Sequence, residues 1–454
     1  MMTHKNVMFI FSLLLSASSL LMAQTTWHVS AAGDDANNGK TVATAFRTLQ
    51  KAADLVKPGD VVLIGNGNYS NANRSSGSAV LYIKSSGTKD AWITWKAEKG
   101  EHPEIHPGGW AGIQVGGSYH IIDGITVIGA NDSIVLLKAQ EDSKNKAADP
   151  HFNTNGIFVN GRGHTPDDKP HHVIVRNCTV GKCPGGGIIA IETDYITIED
   201  CKVYENAWYM RYGGSGISTL DNWAFDDAPG YHNIIQRNYC WNNKTMVSWE
   251  KIGRLSDGNG IILDVTDQEQ NGATNMNNDK VIKPGDSAAN AKPKRPEWKG
   301  RALVANNVSA FNGGSGIHTF RTKYVDVINN TVYHNGEVVG YPDMFANSSE
   351  DIVFLNNIIV PRPGCKVTGN NKNKNIRWDY NIYPIPQDLF NAPNDIVADP
   401  QFVNAYFDRL TADFHLKAGS PALSSASNDV PQATDLQGKP RPKGKGRDRG
   451  AYEQ

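Results

Sequence analysis

Beyond residue 23 no stretch of this 454-residue chain approaches the roughly 18 consecutive apolar residues of a membrane-spanning helix. An excess of one charge is also missing, since 45 Lys and Arg face 46 Asp and Glu for a formal net charge of −1. Without a basic surplus, nucleic acid is excluded as the natural partner. Cysteine is scarce and odd in number, and the spacing of Cys178, Cys183, Cys201, Cys240 and Cys365 is not that of a zinc site. The acidic, Gly-rich turn Gly33-Asp34-Asp35-Ala36-Asn37-Asn38-Gly39 lacks the spacing of an EF-hand, which leaves calcium there possible but unassigned.

Glycine, by contrast, is plentiful: 44 residues, roughly ten per cent against an average near seven. Turn-rich β structure accounts for it, and the stretch from Ala302 to Gly336 shows of what kind. Asn306-Asn307 is followed 23 residues later by Asn329-Asn330, each pair preceded by an apolar run. Asn177, Asp200, Asn238, Asn307, Asn330 and Asn357 continue that register with steps of 23, 38, 69, 23 and 27. We read 38 as one period with an insertion and 69 as three periods. A period near 23 built from short β-like runs predicts a solenoid, with Asn at a tight turn bonding its equivalent in the next coil. Cys178 and Cys201 share one phase of adjacent coils, so stacked thiols and a disulfide are both open.

Each unit also carries a Gly-Ile step, at Gly156, Gly187, Gly216, Gly260 and Gly316. Stacked as parallel strands, these place Ile inward and the next residue outward, giving an outer column of Phe158, Ile189, Ser218, Ile262 and His318. Two residues further along come Asn160, Ile191, Leu220, Asp264 and Phe320. Polar residues concentrate in the coils at 216, 260 and 316.

Met1 to Ala23 has a short basic start and an apolar core, the pattern of a secretory signal peptide, which predicts a secreted or periplasmic protein. The remainder, 24–454, reads as one all-β domain, a monomeric parallel β-helix. Phe46, Leu49, Ala52, Ala53, Leu55 and Val56 fall at helical spacing before Lys57-Pro58-Gly59, predicting an N-terminal helical cap over about 46–56. Solenoid ends need such covers. Loop insertions are expected over 136–155 and 266–300, and a C-terminal tail from about Asp379 wrapping back over the coils.

Trp27-His28-Val29-Ser30, Ala45-Phe46-Arg47-Thr48-Leu49-Gln50-Lys51-Ala52 and Lys57-Pro58-Gly59-Asp60-Val61-Val62 resemble the entry segment of secreted right-handed parallel β-helix proteins of the pectate-lyase-like superfamily. Asp413-Phe414-His415-Leu416 and Asp448-Arg449-Gly450-Ala451-Tyr452 resemble its closing segment. The resemblance covers nearly the whole mature chain and implies the fold.

Aromatic rings beside charged and amide groups suit sugar faces, so Trp208, Tyr209, Arg211, Tyr212 and Trp223 are candidate saccharide contacts. Glu192, Asp221, Asp257, Asn259 and Arg321 join His318 and Asp264 in a candidate patch. Two chemistries fit it. A β-eliminating lyase needs a base, here His318, and a cation for the substrate carboxylate, Arg321 or a metal. Asp264 nearby would raise the His318 pKa and push activity to higher pH. A glycoside hydrolase needs two carboxyls, Asp264 with Asp221, Asp257 or Glu192. A non-catalytic polysaccharide-binding solenoid is the third reading. The chain is also similar to polysaccharide lyase family 9, in which the residue after one Gly-apolar step is a catalytic Lys and Asp residues of neighbouring coils hold calcium. That resemblance implies His318 or Ile262 at the Lys position, Asp257 as the counterpart of the Asp cluster, and a lyase acting on a uronic-acid-containing polymer.

Overall fold

The computed structural model describes residues 24–71, 73–266, 295–390, 392–406 and 411–454. The segment read as a signal peptide lies outside them, as does most of the predicted 266–300 insertion. Each coil contributes three short strands rich in β-branched residues, and the strands stack in parallel into three sheets. Sheet A has eleven strands from Thr26–Val29 to Lys374–Asp379, and sheet B eleven from Gly67–Ser70 to Ile396–Val397. Sheet C has nine, from Ala79–Ile83 to Asn370–Asn371. The coil is right-handed, the hand that twisted strands impose on parallel crossovers. Among the described residues no helix is long and apolar enough to cross a membrane.

The Gly-Ile steps set the interior. Ile157, Ile188, Ile217, Ile261 and Ile317 lie in register along sheet C and are buried in the central core. Each such side chain contributes roughly 1.5–3 kcal/mol relative to exposure. The glycines before them are dictated by contact: a Cβ at Gly260 would stand 1.9 Å from Ser309 Oγ, and one at Gly316 would stand 2.7 Å from both Asn335 Nδ2 and Val332 Cγ1.

The polar column at the corner between sheets A and B divides into two neighbouring positions, which corrects the register read from the sequence. Asn177, Asp200, Arg237, Asn306, Asn329 and Asn356 take the left-handed conformation, with φ between 54° and 61°. The next residues, Cys178, Cys201, Asn238, Asn307, Asn330 and Asn357, point inward, as does Asn381 one coil further on. Asn238, Asn307, Asn330 and Asn357 each donate from Nδ2 to Oδ1 of the following Asn at 3.0–3.1 Å. Asn177 and Asp200 therefore belong to the turn and Asn238, Asn307, Asn330 and Asn357 to the ladder. The 69-residue step from Asn238 to Asn307 is one coil, not three, because both loops of that coil are enlarged; it holds the strands Tyr239–Trp241, Ile261–Asp264 and Arg301–Ala305. A second ladder, Asn206, Asn243, Asn312 and Asn335, lines the sheet B to sheet C corner and ends on buried Asp343.

All five cysteines are free. Cys178 and Cys201 occupy the head of the Asn column, and each thiol donates to a carbonyl of its own strand, Arg176 and Glu199 respectively, at 3.2 Å. The helix at the entry, α1 (Leu49–Ala53), is shorter than 46–56. Asp35 accepts from the Arg47 and Thr48 amides at 2.9 Å, and Phe46 pairs with Val29 as extended chain, so the helix starts only after Thr48. Phe46, Leu49, Ala52, Ala53 and Val56 cover the first coil, while Leu55 faces water. At the far end the chain turns back: Asn306 Nδ2 donates to Thr434 O, Gly450 N to Asn356 O and Ala451 N to Thr331 Oγ1. Phe402, Phe414 and Leu416 then pack on Val308, Ala310 and Ile358 of sheet B.

Candidate active groove

Alternation along sheet C leaves one side chain per coil outside the core. Gln114, Phe158, Ile189, Ser218, Ile262, His318 and Phe345 stand in register on that outer face. Phe158, Ile189 and Ile191 form an apolar floor with Leu220, and Ser218 and Asp264 are its polar members. The loops entering sheet C from sheet B make one wall and the corners leaving it for sheet A make the other. Between them lies a groove of ≈ 320 Å³.

The B-side wall brings the ionisable groups. Trp249 pairs with Arg254 across a tight turn, which carries Glu250 and Lys251 to the groove. Buried Arg211 anchors that turn: its Nε donates to Glu250 Oε2 at 2.7 Å, and its other nitrogens donate to Asp142 O at 3.0 Å and Asn145 O at 2.7 Å. The last two carbonyls belong to and follow α2 (Leu136–Asp142), inside the predicted 136–155 insertion. Tyr212 faces Trp110 with ring centroids 6.2 Å apart, and burial raises its phenol pKa. Asp257 follows the turn in left-handed conformation, φ 65°. Burial pushes its carboxyl up to about 6, against a hydrogen bond from Ser256 that pulls it down. Gly213 is obligatory beside it, since φ is +70° and a Cβ there would stand 2.7 Å from Asp257 Oδ2. Arg162 faces these groups from the opposite corner loop.

Of the residues singled out from sequence, Asp257, Asp264 and Tyr212 meet in this groove. Glu192, Asp221 and Arg321 occupy one stacked position at the sheet C to sheet A corner, with φ of 54°, 53° and 52°. There Lys169 Nζ donates to Glu192 Oε2 at 2.5 Å, and Arg295 lies 3.9 Å from buried Asp221. Arg321 is buried, with its guanidinium 4.8 Å from the Phe320 ring centre. Asn259 is wholly enclosed and bonds to Ser215 and Ser315. The aromatic cluster is dispersed. Tyr209 is buried with Ile134, Ala139 and Val247, with Trp208 packed against them. Trp223 lies on the far side of the opposite wall under Lys169. Arg162, Trp110, Trp249, Glu250 and Lys251 were not anticipated; the run Trp249-Glu250-Lys251 ahead of the Gly260 step was the available signal.

His318 departs most from expectation. Its strand partners are Ile262 and Phe345, whereas Asp264 pairs with Phe320. The imidazole stacks on Phe345 at 4.0 Å beneath Tyr341, and neither ring nitrogen has a hydrogen-bond partner among the described residues. Burial therefore lowers its pKa to about 3, opposite to the rise expected from Asp264. So weak and enclosed a base is unsuited to abstracting a proton. Replacing it with an apolar group of similar size removes unpaired polar atoms, so His318→Leu should raise stability by about 1–2 kcal/mol at pH 7 and leave turnover intact. The unfolded imidazole binds a proton near pH 6.5 and the folded one near 3. Wild-type stability is thus full above 6.5 and falls as pH drops through that window, and the variant should lose this slope. Urea titrations at pH 7 and pH 5 check both, and a variant that folds as stably as the wild type but has lost turnover would restore His318 as the base.

Among the described residues no three His, Cys, Asp or Glu side chains lie close enough to hold a metal ion. The groove's carboxylates are Asp257, Asp264 and Glu250. Glu250 is committed to Arg211, which leaves Asp257 and Asp264, two carboxylates and too few for a calcium site of six to eight oxygens, and no step is assigned to a metal.

A family model described as "Pel9A-like, right handed beta helix region" matches residues 27–351. No curated protein sequence matches the chain. Among solved structures, the crystal structure of pectate lyase Pel9A superposes with a TM-score of 0.52 at 14% identity, covering 95% of this chain and 96% of that one. A rhamnogalacturonan lyase superposes with a TM-score of 0.51 at 15% identity, covering 86% and 93%. At these identities the likeness is one of fold.

Proposed function

Because the chain belongs to the Pel9A-like right-handed β-helix family, we propose that it is a carbohydrate-active enzyme, a polysaccharide lyase cleaving a uronic-acid-containing polymer by β-elimination. The observation that carries this reading is the groove itself, where a carboxyl with a pKa of about 6 shares an apolar, aromatic-edged trough with Arg162 and Lys251. Elimination removes the proton beside the uronate carboxylate, forms a carbon–carbon double bond and expels the glycosidic oxygen, which then takes a proton. Asp257 as carboxylate is the base, and the two cations offset charge building on the substrate carboxylate. The Tyr212 hydroxyl, kept protonated by burial, is the donor to the departing oxygen. Sugar rings rest on Trp110, Tyr212 and Trp249. The names of two similar structures, a pectate lyase and a rhamnogalacturonan lyase, support a pectin-like acidic polymer, and the N-terminal segment supports action outside the cytoplasm.

Glycoside hydrolysis is the second reading, favoured by the three carboxyls of the groove. Incubation with acidic and neutral polysaccharides decides between them. New reducing ends accompanied by ultraviolet absorbance of an unsaturated uronate are expected. Reducing ends without absorbance would establish the hydrolase, and retained binding with neither product a non-catalytic solenoid.

A further inference from the structure

The corner loops that wall the groove have a second face. Asp167, Lys169, His171, Trp223, Phe225 and Pro296 border a separate cavity of ≈ 360 Å³ on it. Phe225 is 49% exposed, yet its backbone is pinned from below. Its N–H donates to Oδ2 of fully buried Asp194 at 2.7 Å, and Asp226 accepts from the Tyr195 hydroxyl at 2.7 Å. Asp194 is itself held by His232 at 3.0 Å. A large apolar ring is thus held half in water on a backbone anchored at both Phe225 and Asp226. Phe225 lies against His171, centroids 3.8 Å apart, and the His171 Nδ1 is engaged by His172 at 2.7 Å, leaving Nε2 for a ligand. Buried Trp223 completes the apolar lining.

We propose that this cavity is a second saccharide site, distinct from the groove, that takes a neutral pyranose residue. A pyranose offers the matching chemistry, a C–H face for Phe225 and Trp223 and hydroxyls for Asp167 and His171. The ligand is neutral because the cation here is already spent: Lys169 Nζ donates to Glu192 and to Gly161 O. The exposed charge that remains, Asp167, repels a uronate, and burial with the neighbouring His172 lowers the His171 pKa to about 4, so the ring is neutral at working pH. The site therefore suits a neutral branch or a neutral neighbouring chain rather than an acidic backbone. It does not depend on the reaction assigned to the groove.

Affinity gel electrophoresis of the full chain in galactan, xylan, mannan and laminarin, with polygalacturonate alongside, tests this. The wild type should be retarded by at least one neutral polymer. Phe225→Ala should bind that polymer roughly tenfold more weakly, and the groove variant Tyr212→Ala should bind it as the wild type does. Phe225 is exposed, so its variant should melt as the wild type does. Absence of retardation in every neutral polymer, retardation unaffected by Phe225→Ala, or retardation lost only in Tyr212→Ala would each overturn the proposal. Equal dependence on Phe225 in polygalacturonate would overturn the neutral-sugar assignment.

Discussion

Asp257→Asn is expected to lower turnover on the acidic polymer by about 10²–10⁴-fold while binding is largely kept, the range typical of removing a general base or acid. The amide matches the carboxyl in size, so it fits the space that the missing side chain of Gly213 leaves and the fold is not the variable. The pH profile then separates the two chemistries. Burial holds the Asp257 pKa at about 6. As the base of a lyase it must be ionised, so kcat/KM should rise as pH increases through 6 and level off above it. As the acid of a hydrolase it must be protonated, and the same limb should fall. A wild-type profile that is flat through pH 6, with an active Asp257→Asn enzyme, would place the chemistry on another groove residue, Asp264 or Lys251.

The centre of the groove was readable from the chain because alternation has a period of two and the Gly-Ile steps give its phase. That count puts Ser218, Ile262 and Asp264 on the outer face, where the structure has them. It says nothing about what covers each coil. His318 is on the predicted face, but Tyr341 and Phe345 lie over and beside it and remove it from solvent. Glu192, Asp221 and Arg321 sit one residue past the strand ends, where the chain is already in a left-handed corner and alternation has stopped. The walls were less legible still. Arg211 reads as a saccharide contact by composition, and only the folded 136–155 insertion and the turn at Glu250 show it bonded to Asp142, Asn145 and Glu250.

The coil register was readable to within one residue, and that residue decides which Asn matters. Asn307→Ala should destabilise the protein by roughly 3–6 kcal/mol, whereas Asn177→Ala should cost about 1 kcal/mol. Asn307 is fully buried. Its Nδ2 donates to Ile235 O at 2.9 Å and to Asn330 Oδ1 at 3.0 Å, and its Oδ1 accepts from both the amide and the Nδ2 of Asn238. Truncation leaves those partners in a dry interior without water to replace the lost bonds, at roughly 1–3 kcal/mol for each group left unmet. Asn177 bonds outward, to Asp123 Oδ1 on the surface, and its substitution mainly exposes the strain of φ 54° in an alanine. Because a solenoid holds together through neighbouring coils, the Asn307 defect should open the coils on both sides as well. Chemical denaturation with hydrogen exchange checks this: loss of protection should centre on the strands Tyr231–Gln236 and Lys323–Ile328 that flank Arg301–Ala305 in sheet A. Equal costs at Asn177 and Asn307 would mean that the inward ladder contributes no more than the turn that precedes it.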